Sequence, residues 1–475
     1  MVPNLIGGEW SRPEGPSLPI YNPATGEVID QVPVSGAAQV ERAVRAAAVA
    51  YRDWSRTPLM ERVRLMFRFK ALLEEGSEDL ARIVTRHHGK TLDEARGEVR
   101  RGIEVVDFAC GAPTLLQGRT LRDVSAGVDQ DLYRFPIGVV AGIPPFNFPV
   151  MIPLWMFPLA VVAGNTFILK PSERTPLGAV RLAEIFTAAG FPDGVLNLVN
   201  GAGGEVEALI ASPGVAAISF VGSAPVARRV YETAAAQGKR VQALGGAKNH
   251  IVVMPDADLE LAVPAILGSA FGNAGERCLA GSVAVAVGEA ARTLLSPLLT
   301  ASSALRVGPG DQDGVDVGPL IRADHRDRVA AHIARGESQG AKVLLDGRNQ
   351  LARPGFFLGP TILGEVTDEM AVGRDEIFGP VLSLSTADTL DAAIAQANRM
   401  SLGNMAVIFT SSGKSARRFR EEVEAGMVGV NVPVAQPFAF FPFSGWKGSF
   451  YGDLHVHGTD GIDFYTRKKM FISRW

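Results

Sequence analysis

The stretch Ala217-Ile-Ser-Phe-Val-Gly-Ser-Ala-Pro225 sets the reading of the whole chain. A short apolar, strand-favouring run enters a glycine turn, and a helical pattern opens directly behind it. The same succession recurs upstream. Ile137-Gly-Val-Val-Ala-Gly142 reads as a buried strand ending in a turn. Thr166-Phe-Ile-Leu-Lys170 is another, followed by Pro171-Ser-Glu173 and a helical stretch over 176–189. Val195-Leu-Asn-Leu-Val199 adds a further strand. Strand, glycine turn and helix in repetition are the signature of a parallel, doubly wound sheet. The second half follows suit with Ile251-Val-Val-Met254, a helix near 258–273, Val283-Ala-Val-Ala-Val287 and Ala406-Val-Ile-Phe-Thr410. A second α/β domain is therefore expected. Residues 37–56 and 58–88 carry apolar residues at three- and four-residue spacing and are predicted to be helical. Asp123 to Arg134 alternates polar with apolar and reads as a hairpin strand; Phe464 to Ile472 in the tail 461–475 is also strand-like. These strands lie outside the main pattern. They form either an arm for subunit contacts or an edge strand in a monomer.

A chain of 475 residues exceeds one compact core and predicts two or three domains. Its 47% hydrophobic and 20% charged content is that of a soluble globular enzyme. A formal net charge of −3 gives no global field to recruit nucleic acid or an anionic membrane. Two cysteines, Cys110 and Cys278, make no disulfide framework and fit a reducing, cytoplasmic setting. The N-terminus reads neither as a secretory signal nor as a transit peptide. Phe135 to Leu169 lacks any charge over a bilayer-spanning length, but it holds six prolines. Proline in a helix interior costs ~3 kcal/mol. A buried strand, a Pro-rich loop and a buried helix account for this run better than a membrane span does.

Five segments bear chemistry. Cys278 sits in Phe271-Gly-Asn-Ala-Gly-Glu-Arg-Cys-Leu-Ala-Gly-Ser282, among small residues that let backbone and ligand approach. The adjacent Arg277 favours thiolate, the nucleophile of acyl transfer; a buried structural cysteine is the other reading. In Phe220-Val-Gly-Ser223, Gly222 and Ser223 precede a helix whose free N–H groups suit a phosphate, although a plain strand–helix turn has the same form. Lys170-Pro-Ser-Glu173 can face a ribose. The Glu173 carboxylate would bond vicinal hydroxyls and repel a 2′-phosphate, which favours NAD over NADP; an exposed ion pair is the alternative. Asn147, in the rigid Pro144-Pro-Phe-Asn-Phe-Pro149, is either a fixed donor for an oxyanion or a turn residue. Glu376-Ile-Phe-Gly-Pro380 read alone is only a strand start.

Together and in this order, the five segments resemble the aldehyde dehydrogenase superfamily over essentially the whole chain. The resemblance implies two doubly wound α/β domains plus a small β oligomerisation arm. Residues 1–119 and 140–246 would bind NAD, 247–447 would be catalytic, and 120–139 with 448–475 would form the arm of a homodimer or homotetramer. It also implies Cys278 as nucleophile and Asn147 as oxyanion donor. Phe146, Lys170, Glu173, Gly222, Ser223, Glu376 and Phe378 would hold NAD, with Phe378 near the nicotinamide. No metal is implied.

One departure matters. The superfamily's usual acid-Leu-Gly-Gly-Lys appears here as Leu244-Gly-Gly-Ala-Lys248, so the base that activates water is missing; shifting the alignment by one puts Ala243 there instead. General-base help is typically worth ~10²–10⁴-fold, so hydrolysis of a thioester should be slow. A thiol acceptor needs less help, which points to coenzyme A. Glu276 or another acid taking over is the competing possibility. Pro145 to Pro158, Gly246-Ala-Lys-Asn-His250, Met254-Pro-Asp-Ala-Asp258 and Gly461 to Thr466 resemble the methylmalonate-semialdehyde dehydrogenase branch, which is NAD-dependent and CoA-acylating. By that resemblance Arg101 and Arg277 would clamp the substrate carboxylate. Phe148, Phe441 and Phe443 are candidates for a substrate tunnel or for core. The competing functions are a dehydrogenase that hydrolyses its thioester to a free acid, and a non-catalytic protein on this fold.

Overall fold

The computed structural model describes all 475 residues. Two open sheets organise it. The first has eight strands, and its centre is five parallel strands in spatial order Leu196–Leu198, Thr166–Leu169, Val139–Ile143, Val215–Val221, Arg240–Leu244. The chain order reverses direction between Val139–Ile143 and Val215–Val221. Such a switch point opens a crevice at the carboxyl ends of the strands. Short antiparallel strands close both edges, one of them Phe450–Tyr451 against Leu244 and Ala243. The second sheet has seven strands, with Asn249–Val253 between Gly281–Val287 and Met405–Phe409. The near-continuous Val, Ile, Leu and Ala of the central strands reflects burial on both faces.

The charge-free run resolves into the strand Val139–Ile143, a loop, and the fully buried helix Met151–Val162. No helix is long and apolar enough to cross a membrane. The predicted helix over 58–88 is two helices, Leu59–Glu75 and Ser77–His88, because Gly76 leaves helical geometry between them. Asp123 to Arg134 is a two-stranded hairpin, Arg119–Ser125 and Val128–Pro136, turning at Gly127 with φ +69°. The tail strand begins later than its sequence suggests: Gly458–Phe464 is a helix, and Thr466–Arg474 pairs antiparallel with Val128–Pro136 along its full length. The outlying strands thus form one three-stranded sheet. Leu121, Tyr133 and Ile472 are exposed on it.

Candidate active site

The helix Leu259–Phe271 runs into a turn with a left-handed backbone at Asn273, Ala274 and Gly275 (φ +56°, +52° and +72°). A Cβ on Gly275 would stand 2.1 Å from the Gly379 carbonyl oxygen, so only glycine fits. The turn delivers Cys278 just ahead of the strand Gly281–Val287. Its main-chain carbonyl accepts from Asn249 Nδ2 at 2.9 Å and from Asn404 Nδ2 at 3.0 Å. The small residues that the sequence offered as room for ligand are thus first of all what the turn requires.

Cys278 borders a cleft of about 930 Å³ at the end of the first sheet. All nine residues expected to do chemistry or hold the cofactor border it, and neither Arg101 nor Arg277 does. Asn147 is buried; its Nδ2 donates to the Glu276 carbonyl at 2.8 Å, which leaves the second Nδ2 hydrogen available. Asn273 Nδ2 donates to the same carbonyl at 2.7 Å. Lys170, 3% exposed, ends the strand Thr166–Leu169 with Nζ 3.5 Å from Glu173. Ser223 precedes the helix Ala224–Ala235 and its hydroxyl caps no helical N–H. The glycine at 222 serves packing: a Cβ there would lie 2.5 Å from the Phe220 ring.

Glu376 Oε1 accepts from the Ala247 N–H at 2.9 Å. Burial pushes this carboxyl up to about 7, against the Ala247 hydrogen bond and the Lys248 charge. Lys248 steadies the neighbouring loop by donating to the Val372 and Asp375 carbonyls at 2.8 and 2.9 Å. Burial and then the Glu376 charge push the Cys278 thiol up to about 12. Arg277 acts in the opposite direction, as its place in the sequence suggests, and burial outweighs it.

Phe146 and Phe378 meet edge to face at 5.8 Å. Phe378 has φ +58°, and its carbonyl is held by His325 Nε2 at 2.7 Å. Arg328 Nη2 donates to His325 Nδ1 at 3.0 Å, so His325 carries its proton on Nε2. Burial lowers His325 to about 4, so it is neutral. His325 and Arg328 both border the cleft and went unseen in the sequence, where nothing in Asp324-His-Arg-Asp-Arg328 sets them apart from a charged helix.

Glu276 does not border the cleft. It is fully buried; Oε1 accepts from the Ile321 N–H at 3.2 Å and lies 3.2 Å from His325 Nε2, while Oε2 has no hydrogen-bond partner. Leu244 is buried too, with its carbonyl accepting from the Gly222 N–H. The carboxylates that do border the cleft are Glu173, Asp375 and Glu376. Arg101 is engaged elsewhere: it donates to Glu104 at 2.7 Å and to the Pro437 carbonyl at 3.2 Å, beneath the Phe438 ring. The Arg277 guanidinium lies near Gly272. Of the candidate tunnel aromatics, Phe148 borders the cleft, Phe443 is core against Trp155, and Phe441 is exposed.

The pairing of a cysteine with an amide donor, beside a crevice with a helix N-terminus, a buried lysine and a carboxylate, fits a dinucleotide and an aldehyde. Known proteins agree with that chemistry. Residues 10–471 match the model of the aldehyde dehydrogenase family. A malonate-semialdehyde dehydrogenase of Geobacillus kaustophilus is 55% identical over 99% of this chain and 98% of its own length. The crystal structure of methylmalonate-semialdehyde dehydrogenase from Oceanimonas doudoroffii superposes with a TM-score of 0.98 at 47% identity, covering 100% of this chain and 98% of that one. A structure from Sinorhizobium meliloti, assigned provisionally to methylmalonate-semialdehyde dehydrogenase and complexed with NAD, gives 0.98 at 45% identity, covering 99% and 97%. The chain belongs to the aldehyde dehydrogenase family.

Proposed function

We propose that this chain oxidises malonate semialdehyde, or its 2-methyl homologue, with NAD and hands the product to coenzyme A as an acetyl or propionyl thioester with loss of CO₂. The observation that carries the acylating reading is the placement of acids around Cys278. With Lys248 aligned to the family's lysine, Leu244 would stand where the water-activating acid belongs, a one-residue shift would put Ala243 there, and the Glu276 carboxyl is sealed away from the cleft. The names of the relatives support the substrate, and the NAD complex of the Sinorhizobium protein supports the cofactor.

Lys170 and Glu173 would hold the adenosine ribose, Gly222 and Ser223 the pyrophosphate, and Glu376 the nicotinamide ribose. Phe146 and Phe378 would wall the nicotinamide. Bound NAD supplies the acceptor for the aldehyde hydride. Cys278 Sγ loses its proton to solvent in the cleft and adds to the aldehyde carbon as thiolate, and the free Asn147 Nδ2 hydrogen, with a backbone N–H, holds the oxyanion. After oxidation the carbon is a thioester of Cys278. The substrate carboxylate is then β to the thioester carbonyl. As CO₂ leaves, the electrons of the broken C–C bond collapse into an enolate whose oxygen occupies the same Asn147 site. A proton added at carbon gives the acetyl or propionyl enzyme, and the coenzyme A thiolate displaces Cys278. Arg101 and Arg277 would bind the carboxylate. The domain assignment is 1–119 with 140–246 for NAD and 247–447 for catalysis. The arm, expected over 120–139 with 448–475, shrinks to Arg119–Pro136 with Thr466–Arg474, because Val139 and Phe450–Tyr451 belong to the first sheet and Gly458–Phe464 is a helix; it would build a homodimer or homotetramer through the exposed Leu121, Tyr133 and Ile472. Two free cysteines fit a cytoplasmic protein.

Glu376 favours a second reading. Its carboxyl borders the cleft and titrates near 7, a good value for a base that would let water release a free acid. NADH formation from malonate semialdehyde, with and without coenzyme A, separates the two. A burst equal to the active sites and sustained turnover only with coenzyme A support the acylating reading. Equal turnover without it overturns the acylating reading in favour of hydrolysis.

A further inference from the structure

We propose that Lys90 and Glu98 form a buried positioning pair that sets Asn147 for the oxyanion, a proposal that rests on the role given to Asn147 above. Lys90 follows Gly89, whose φ of +98° ends the helix Ser77–His88 and turns the chain inward. Lys90 is 2% exposed and Glu98 3%. Lys90 Nζ donates to Glu98 Oε2 at 2.6 Å and to the Asn147 main-chain carbonyl at 2.8 Å. The Phe148 ring centroid lies 4.1 Å from the same nitrogen. An ammonium has three donors, and these three neighbours match them.

Glu98 stands on the helix Leu92–Cys110. Its Oε1 accepts from the Val150 N–H at 2.8 Å and from the Met151 N–H at 3.2 Å. Those groups open the helix Met151–Val162, where N–H groups lack partners in their own helix and favour an anion. The pair therefore grips the loop at both ends, at the Asn147 carbonyl and at residues 150 and 151. A buried ion pair is an expensive filler, since apolar side chains of similar volume are often as stabilising. Its place under a loop that must hold one amide in register accounts for it. The same chain segment reaches the nucleophile: Glu94 Oε1 accepts from the Asn273 N–H at 2.5 Å, at the left-handed turn before Cys278.

The test is a double-mutant cycle on the NADH burst from malonate semialdehyde, using the full-length enzyme. Lys90→Met should slow the burst by about 10- to 100-fold, the scale of a misplaced catalytic group. Burst amplitude should hold, and NAD affinity by fluorescence titration should stay within about twofold. In the Asn147→Ala background the same Lys90→Met change should cost no more than about twofold, because coupled residues are non-additive. An equal loss in both backgrounds, or no loss in either, overturns the positioning role. If Lys90→Met alone does not fold, the neutral pair Lys90→Met with Glu98→Gln carries the cycle, the glutamine oxygen keeping the Val150 and Met151 N–H groups. Failure of both to fold assigns the pair to the fold and also overturns the proposal. Should Asn147→Ala leave the burst unchanged, the oxyanion reading itself fails, which is a separate result.

Discussion

The Asn147 side-chain amide donates to the Glu276 main-chain carbonyl at 2.8 Å, tying the oxyanion loop to the segment that presents Cys278 two residues later. Asn273 shares that carbonyl at 2.7 Å, so both its lone pairs are taken. One Asn147 hydrogen is thereby fixed, and the direction of the other follows from the planarity of the amide. Removing the amide should slow the NADH burst by about 10²–10³-fold, the usual cost of an oxyanion donor. Asn147→Asp should be worse than Asn147→Ala, since a carboxylate oxygen would face the Glu276 carbonyl. Stopped-flow absorbance of the first turnover measures both.

The charge of Glu376 reaches Cys278 and holds its thiol up. Glu376→Gln removes a negative neighbour, so the thiol should ionise more easily. Alkylation of the ligand-free protein by iodoacetamide at pH 8 should accelerate by about 3- to 10-fold. NADH formation should fall in the same variant, because the proposed ribose partner is lost. An alkylation rate that is unchanged or lower would falsify the electrostatic coupling.

Glu276 gives a pH signature in stability. Its carboxyl is raised by burial from an ordinary value of 4.5 to about 8 in the fold. Unfolding therefore releases a proton between those values, and stability from this group is lost as pH rises from about 4.5 to about 8. Glu276→Gln cannot titrate, and its side-chain oxygen can still accept from Ile321. The melting temperature of the variant relative to the parent should rise with pH across that window and level off above it. A difference that stays flat from pH 5 to pH 8 would mean that Glu276 is ionised throughout.

Much of this site is legible in sequence, and the reason is local. Gly275 and the prolines around Asn147 are backbone requirements, and backbone requirements leave fixed residue types at fixed spacing. The central strands are equally plain, because burial on both faces leaves unbroken Val, Ile and Ala. Lys90, Glu98 and His325 are invisible by contrast. Each looks like one more charged or polar residue, and only the fold closes the separation of 57 positions between Lys90 and Asn147. The balance of charges on the Cys278 thiol is hidden for the same reason. Arg277 is adjacent in sequence, whereas the opposing Glu376 arrives from 98 residues away and burial outweighs both.

Glu173 stands 3.5 Å from the buried Lys170 at the strand end, and Arg174 lies beside it at 4.0 Å. In the intact enzyme a 2′-phosphate would meet the Glu173 carboxylate. Glu173→Gln removes that repulsion and leaves two cations. The ratio of kcat/KM for NADP over NAD should rise by about 10-fold or more. Steady-state kinetics with each cofactor decides it; a ratio that does not move places the selectivity in another residue.

Arg101 is already occupied, by Glu104 at 2.7 Å and by the carbonyl of Pro437 at 3.2 Å. On the proposed role of Arg101, a substrate carboxylate would compete with Glu104 for the guanidinium. Two changes should then act in opposite directions. Arg101→Leu should lower kcat/KM for malonate semialdehyde by about 10- to 100-fold, the worth of one or two charge-assisted hydrogen bonds. Propanal, which has no carboxylate, should be turned over by this variant as by the parent. Glu104→Gln frees the guanidinium and should lower KM for malonate semialdehyde while leaving propanal unaffected. Equal losses on both aldehydes in Arg101→Leu would mean that Arg101 serves only to hold the 436–438 loop, through its carbonyl contacts and the Phe438 ring. A rise in KM on Glu104→Gln would mean that Glu104 orients the arginine instead of competing for it.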